Sequence, residues 1–243
     1  MARVGGISFM VIGAAIALSG ASVVARAIET GPLVRIGNDA RNGDPRPPAA
    51  ALPAAIAGLE ALSQRSGDEA GALTFLHYAL AEDAIGRGDA AAARQDAARA
   101  EAGARETLRL APARADVALA LAELRYRRGA DRAAIEAPLR LSYSTAPREL
   151  WIIERRIDLG LRMAPLIATE GAWSDLLGDI KRDIRTLGEP GHDPVYYLEI
   201  ARAAYASGFY AMALARQELA AVSPQSLQVF NQDIEALGAA KPR

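Results

Sequence analysis

Side chains able to do acid–base, nucleophilic or metal chemistry are few here, and their spacing does not gather them. The histidines number two, His77 and His192. A histidine serves as general base or metal ligand near neutral pH. His77 stands in the apolar run LTFLHYALA, where a packed core or groove position is the simpler reading. His192 stands in Pro190-Gly191-His192-Asp193-Pro194, which reads as a solvated turn. Glu82-Asp83 is a carboxylate pair of the kind hydrolases use, but helix neighbours point about 100° apart and do not readily flank one bond. Cysteine is absent, which removes thiolate metal sites, cysteine nucleophiles and disulfides together. HExxH pairs, nucleophile elbows and phosphate-binding glycine loops are absent as well. The expectation is a protein that is not an enzyme, with no cofactor and no metal. An acid pair built from distant helices, as in a glycan-cleaving helical protein, stays open as a lesser alternative.

Arginine is the residue that stands out. Residues 94 to 156 hold thirteen Arg against nine acidic residues, in a chain whose formal net charge is −1. Arg125, Arg127, Arg128, Arg155 and Arg156 cluster near two aromatics, Tyr126 and Trp151. If they share one surface, Arg125, Tyr126, Arg128, Trp151, Arg155 and Arg156 would bind a partner through a weakly basic groove. An acidic polysaccharide or an acidic peptide segment suits such a groove, with the aromatics stacking on it. The competing reading is a solvated face whose arginines pair with Glu123, Glu149 and Glu154, which contributes little. The near-zero net charge gives no general pull toward nucleic acid, and no nucleic-acid partner is expected.

These residues are positioned by helices that recur. Ile200-Ala201, Gly208 and Ala213 form a skeleton that appears again as Leu80-Ala81, Gly88, Ala93 and as Leu121-Ala122, Gly129, Ala134. A weaker copy, Leu159-Gly160, Ile167, Ala172, lacks the turn glycine. The leading positions 80, 121, 159 and 200 are separated by 41, 38 and 41 residues. A period of about 40 residues marks an α-solenoid, in which each helix pair buries its apolar face on the next. The glycine accepts the left-handed backbone that ends a helix, and the alanines let paired helices approach closely.

The unit resembles a tetratricopeptide repeat (TPR), whose pattern runs aromatic, Leu-Gly, aromatic, then Ala, aromatic and a closing Pro. Tyr197, Ile200-Ala201, Ala213 and Pro224 carry the likeness, and Pro112 and Pro147 close earlier units. Gln217 departs from it, standing where the family prefers an aromatic. The likeness covers about residues 70 to 224. It implies a binding scaffold and is nearly silent on the partner.

The expected fold is all-α: a TPR-like α-solenoid of helix-turn-helix repeats, preceded by one N-terminal transmembrane helix. Residues 4 to 25 carry no charge, enough to cross a bilayer as a helix, where about 20 apolar residues suffice. Residues 1–28 are therefore expected as an anchor, or alternatively a cleaved signal peptide with Ala25-Arg26-Ala27 as its cleavage site. Residues 29–50 read as a Pro/Gly-rich linker, 51–238 as the repeat domain and 239–243 as a tail. Within the repeat domain, Asp68, Asp89 and Asp131 are expected to cap helices. Pro138 is expected to kink or end one. Trp173, Leu176, Leu177, Ile180, Ile184 and Leu187 share one face of a helix over 172–188. A polar last helix begins at Ser223-Pro224 and caps the stack.

A second, fainter likeness covers about a third of the chain, in LRLAPARADVALALAELRYRRG and APLRLSYSTAPRELWIIERRIDLGLRM. It is similar to a group of single-pass helical-repeat proteins found beside bacterial exopolysaccharide synthesis and export machinery. That resemblance implies an accessory subunit in the inner membrane, single-pass, with the repeat domain periplasmic and protein partners in the cell envelope. The alternative expectation is a periplasmic assembly factor or chaperone holding extended client peptides.

Overall fold

A computed structural model describes residues 3–42, 47–48, 50–170 and 174–239, with side chains described from Val23 onward except over 168–174. The described residues are all helical, without a strand. The chain divides into two compact units, Met1–Leu124 and Arg125–Arg243.

The first unit holds α1 (Arg3–Asn42), α2 (Ala51–Glu60), α3 (Gly67–Gly86), α4 (Ala90–Leu110) and most of α5 (Ala115–Arg127). Its central helix is α3, which packs against α4 and against α1. The linker expected over 29–50 is corrected here, because helix runs without a break through Glu29 to Asn42, with Pro32 inside it. Proline removes one backbone donor and disfavours a helix interior. Packing outweighs that local preference: Leu33, Val34, Ile36 and Ala40 lie on a core of Leu52, Ile56, Leu59, Leu73 and Leu76. Gly37 makes the approach possible, since a Cβ there would sit 2.5 Å from Cβ of Ala72. Residues 43–46 and 49 of the expected linker, and tail residues 240–243, lie outside the described residues.

Two polar ties fix α1 at either end of this contact. Arg26 donates to Glu69 through Nε at 2.9 Å, and its Nη2 reaches the second carboxylate oxygen at 2.5 Å. Arg41 Nη1 donates to Asp116 at 3.3 Å. Glu69 also closes a capping box on α3, so the N-cap is Ser66 and not Asp68, which lies in the first turn. The Arg26 guanidinium holds the Glu69 carboxyl down at about 2; burial opposes it, and Ser66 and Thr30 add hydrogen bonds. A depressed carboxyl stabilises the fold above its unfolded value, near pH 4.5, and that contribution is lost as pH falls toward 2. We expect Glu69→Gln to destabilise the chain at pH 7 by about 1–2 kcal/mol, discounted because Arg26 is part-exposed. The gap between variant and wild type, read from urea midpoints, should close between pH 4.5 and pH 2. A gap that is constant with pH would assign the effect to the cap alone.

The glycine turns have the conformations their spacing predicts. Gly88 and Gly129 have φ of 74° and 65°. At the first, Asp89 N–H donates to Ala84 O and Gly88 N–H to Ile85 O. At the second, Ala130 N–H donates to Arg125 O and Gly129 N–H to Tyr126 O. Both are Schellman closures that satisfy the last carbonyls of a helix. Asp89 and Asp131 then cap the following helices through Ala92 N–H and Ala134 N–H. Gly208, at φ 92° and ψ −168°, is at once the C-cap of one helix and the N-cap of the next.

The second unit holds α6 (Arg132–Thr145), α7 (Leu150–Glu170), α8 (Ser174–Leu187), α9 (Val195–Ser207), α10 (Phe209–Val222) and α11 (Pro224–Ala239). Pro138 does not end α6, which continues to Thr145. The copy without a turn glycine does not turn: α7 runs straight through Ile167. The small residue after each leading Leu or Ile is buried, as Ala81, Ala122 and Ala201. At the fourth copy a Cβ on Gly160 would meet Ile180 at 2.8 Å, so α7 and α8 pass closely there. Ala213 is a correction: expected at a close approach, it is exposed, while Ala211 and Ala215 beside it are buried. On α8 the inward residues are Leu176, Ile180, Ile184 and Leu187. Trp173 lies outside the described residues. Tyr197 donates to Gly188 O at 3.2 Å and meets Ser226 Oγ at 3.3 Å, which ties α11 to the end of α8. Phe230 and Ile234 bury the inner face of α11 and leave Gln225, Gln228 and Gln232 exposed.

Among the described residues no helix is long and apolar enough to cross a membrane. The expected span, residues 4–25, lies almost wholly where side chains are not described.

Candidate functional site

The candidate surface belongs to the second unit and is built on α7. Along this helix Trp151, Arg155, Asp158 and Arg162 follow at steps of four, three and four, so they form one stripe, with Glu154 at its edge. The opposite stripe, Ile152, Ile153, Ile157 and Leu161, is buried. Trp151 is 40% exposed in the first turn, and Arg155, one turn on, is half-buried.

Arg156 is corrected from a partner-binding residue to an interior one. A step of one residue on a helix turns a side chain by about 100°, and that step takes Arg156 from the surface to full burial. Its guanidinium pairs with Asp183 of α8 at both carboxylate oxygens, at 2.8 and 3.1 Å. Its remaining donors reach Ser142 O at 3.1 Å and Ala146 O at 2.9 Å, carbonyls at the C-terminal end of α6. Cζ lies 4.3 Å from the centroid of the Tyr143 ring. Burial pushes the Asp183 carboxyl up to about 6, with Arg156 pulling it back, and burial also raises the Tyr143 phenol.

The other expected residues divide into two groups. Arg125 Nη1 donates to Ala134 O at 2.7 Å, bridging the Gly129 turn. Tyr126 donates its hydroxyl to Arg162 O at 3.2 Å, just past the middle of α7. Arg128 is exposed at the same turn. Residues 151 and 162 stand about 16 Å apart along a helix rising 1.5 Å per residue. The structure therefore does not bring the aromatics Tyr126 and Trp151 into one pocket; they mark two ends of a strip.

The strip is mixed in charge. Arg162 pairs with Asp158 on its own helix, and Arg202 pairs with Glu199 on α9 at 2.6 Å. Burial raises the Glu154 carboxyl, the Glu199 charge adds to the rise, and Arg155 opposes both. The arginine excess in the sequence thus becomes alternating charge in space. Asp158 and Glu199 pair with Arg162 and Arg202, all four beyond the window 94 to 156, while inside it Arg105, Arg114 and Arg140 pair with Glu101, Asp116 and Glu136.

Exposed apolar residues were not singled out by the sequence. Phe209 is 81% exposed in the first turn of α10, with Tyr210 part-exposed beside it, and Leu166 is half exposed on α7. The available signal was position: Phe209 directly follows Gly208, where a helix begins and core periodicity has not yet started. The histidines take no part in this surface. His77 is buried in the first unit, with Nδ1 3.2 Å from Asp96 and Nε2 3.5 Å from Glu60. His192 meets the edge of Tyr196, with ring centroids 6.1 Å apart. Among the described residues no three His, Cys, Asp or Glu side chains could hold one metal ion.

Comparison with protein-family models, with curated proteins and with solved structures finds no match to this chain.

Proposed function

We propose that the chain is a membrane-anchored TPR-like scaffold that mediates protein–protein interaction in the bacterial cell envelope. In this reading residues 4–25 span the inner membrane once and the repeats lie in the periplasm. The protein acts as an accessory subunit of polysaccharide synthesis or export. The observation that carries the scaffold reading is the strip on α7: paired charges and part-exposed aromatics at its two ends, about 16 Å apart along the helix. That spacing fits an extended segment, peptide or acidic polysaccharide, better than a compact ligand. The glycine-closed helix pairs support the repeat architecture, since Gly88, Gly129 and Gly208 all hold positive φ at the predicted turns. Exposed Phe209 gives some weight to a second reading, a periplasmic factor that holds client peptides.

Crosslinked pull-down of the full chain from membranes tests this. Recovery of a small constant set of envelope export components is the expected result, and Arg128→Glu with Arg155→Glu should lower that recovery about tenfold, as loss of roughly 1.4 kcal/mol would. Recovery of diverse unfolded clients would transfer the assignment to the holding factor. Unchanged recovery by the double variant would remove the strip as the binding surface.

A further inference from the structure

The uncharged run 4–25 and the packed segment 26–42 belong to one continuous helix. Arg26, the first charge after that run, is held at Glu69 and also donates to the Gln64 carbonyl. Residues 64–69 therefore stand at the level where the apolar run ends. Gly67 packs against Ala111, where a Cβ on the glycine would lie 2.7 Å from Cβ of the alanine. That contact brings the end of α4, with exposed Arg109 and Leu110, to the same level. Val23 and Val24, just before Arg26, and Ile28, two residues after it, are 67%, 59% and 73% exposed. Apolar surface thus reaches Ile28, two residues past the first charge and just before the exposed Glu29, as on a helix leaving the acyl region through the headgroup layer.

We propose that the end of the first unit formed by residues 61–69 and 109–112 rests on the lipid headgroup layer, held there by α1 as a rigid continuation of the membrane span. This rests on the reading that residues 4–25 cross the bilayer. It replaces a tethered domain with a seated one. Nothing flexible separates span from fold, because Arg26, Thr30, Leu33, Gly37 and Arg41 lock successive turns of α1 onto the unit. The opposite end of α3, at Ile85, is displaced by the helix length, about 30 Å for twenty residues. Charge contributes little to the seating: Arg65 is paired with Glu106 and Arg114 with Asp68 and Asp116, and exposed Arg109 is offset by the exposed Asp68 at the same level. Anionic lipid is therefore not required.

The absence of cysteine allows single labels to be placed cleanly. Leu110→Cys and Ile85→Cys, both at exposed positions, would each carry an environment-sensitive fluorophore. The full chain would be reconstituted in phosphatidylcholine vesicles containing headgroup-spin-labelled lipid. The expected result is loss of fluorescence at position 110 and none at 85, with no change when anionic lipid is added. A flexible glycine-serine insert between Ala25 and Arg26 should abolish the loss at 110 while the chain still floats with vesicles. Equal quenching at 85 and 110, or none at either, in vesicle-bound protein overturns the seating and leaves the anchor standing. Failure to float with vesicles overturns both.

Discussion

Arg156→Met should destabilise the second unit by about 3–5 kcal/mol, the usual cost of leaving a buried carboxylate without its cation. No substitution on the outward stripe of α7 is expected to approach this. The guanidinium serves three elements at once: the Asp183 carboxylate on α8, the Ser142 and Ala146 carbonyls at the end of α6, and the Tyr143 ring. Methionine fills most of the volume but satisfies none of the oxygens. Asp183 would then be pushed further up in the variant, since burial already lifts it to about 6 against the arginine's pull. A carboxyl raised in the folded state holds its proton where the unfolded chain, near 3.8, has lost it. Stability of the variant should therefore fall as pH rises from about 4 through neutrality, more steeply than in the wild type. Replacing both partners, Arg156→Met with Asp183→Leu, should recover most of the loss, because apolar pairs of similar volume are tolerated where lone charges are not. Urea unfolding at several pH values measures all three. A single-variant loss below about 1 kcal/mol would place Arg156 at the surface after all.

Gly37→Leu should detach α1 from α3. The missing Cβ would lie 2.5 Å from Cβ, 2.6 Å from Cα and 2.9 Å from O of Ala72. Two of those atoms are backbone and cannot swing aside. Overpacking of this kind costs about 1–3 kcal/mol, and here the helices can relieve it only by separating. Separation removes the packing of Leu33, Val34 and Ile36 and the bond from Arg41 to Asp116. If the cost is about 3 kcal/mol, the open population rises roughly a hundredfold. Trypsin should then cut at Arg35 and Arg41 about a hundredfold faster while the rest of the chain stays protected. Were 29–50 a linker, leucine at 37 would change nothing, and unchanged cleavage would restore that reading.

Legibility in the sequence followed the range of the forces involved. The helices, their glycine closures and the caps at Asp89 and Asp131 were readable, because each rests on residues within about five positions of one another. Where a local signal had a near competitor, it was misassigned by a short distance: Ser66 took the cap expected of Asp68, since Glu69 completes its box. The candidate strip was half legible. Arginine and aromatic content can be read from the sequence, but not which of two adjacent arginines faces water, nor that Asp158 and Glu199 lie among the cations.

By itself the sequence determined an all-helical chain with turns at Gly88, Gly129 and Gly208, because backbone conformation at glycine and capping at aspartate are local matters. Tertiary structure alone decided that Pro32 could be carried inside a helix and that Arg156 would be buried whole. In each case a contact distant in sequence, α1 on α3 or Arg156 on Asp183, outweighed a local preference worth only a few kcal/mol. Such contacts have no signature in the residues that make them until the chain has brought them together.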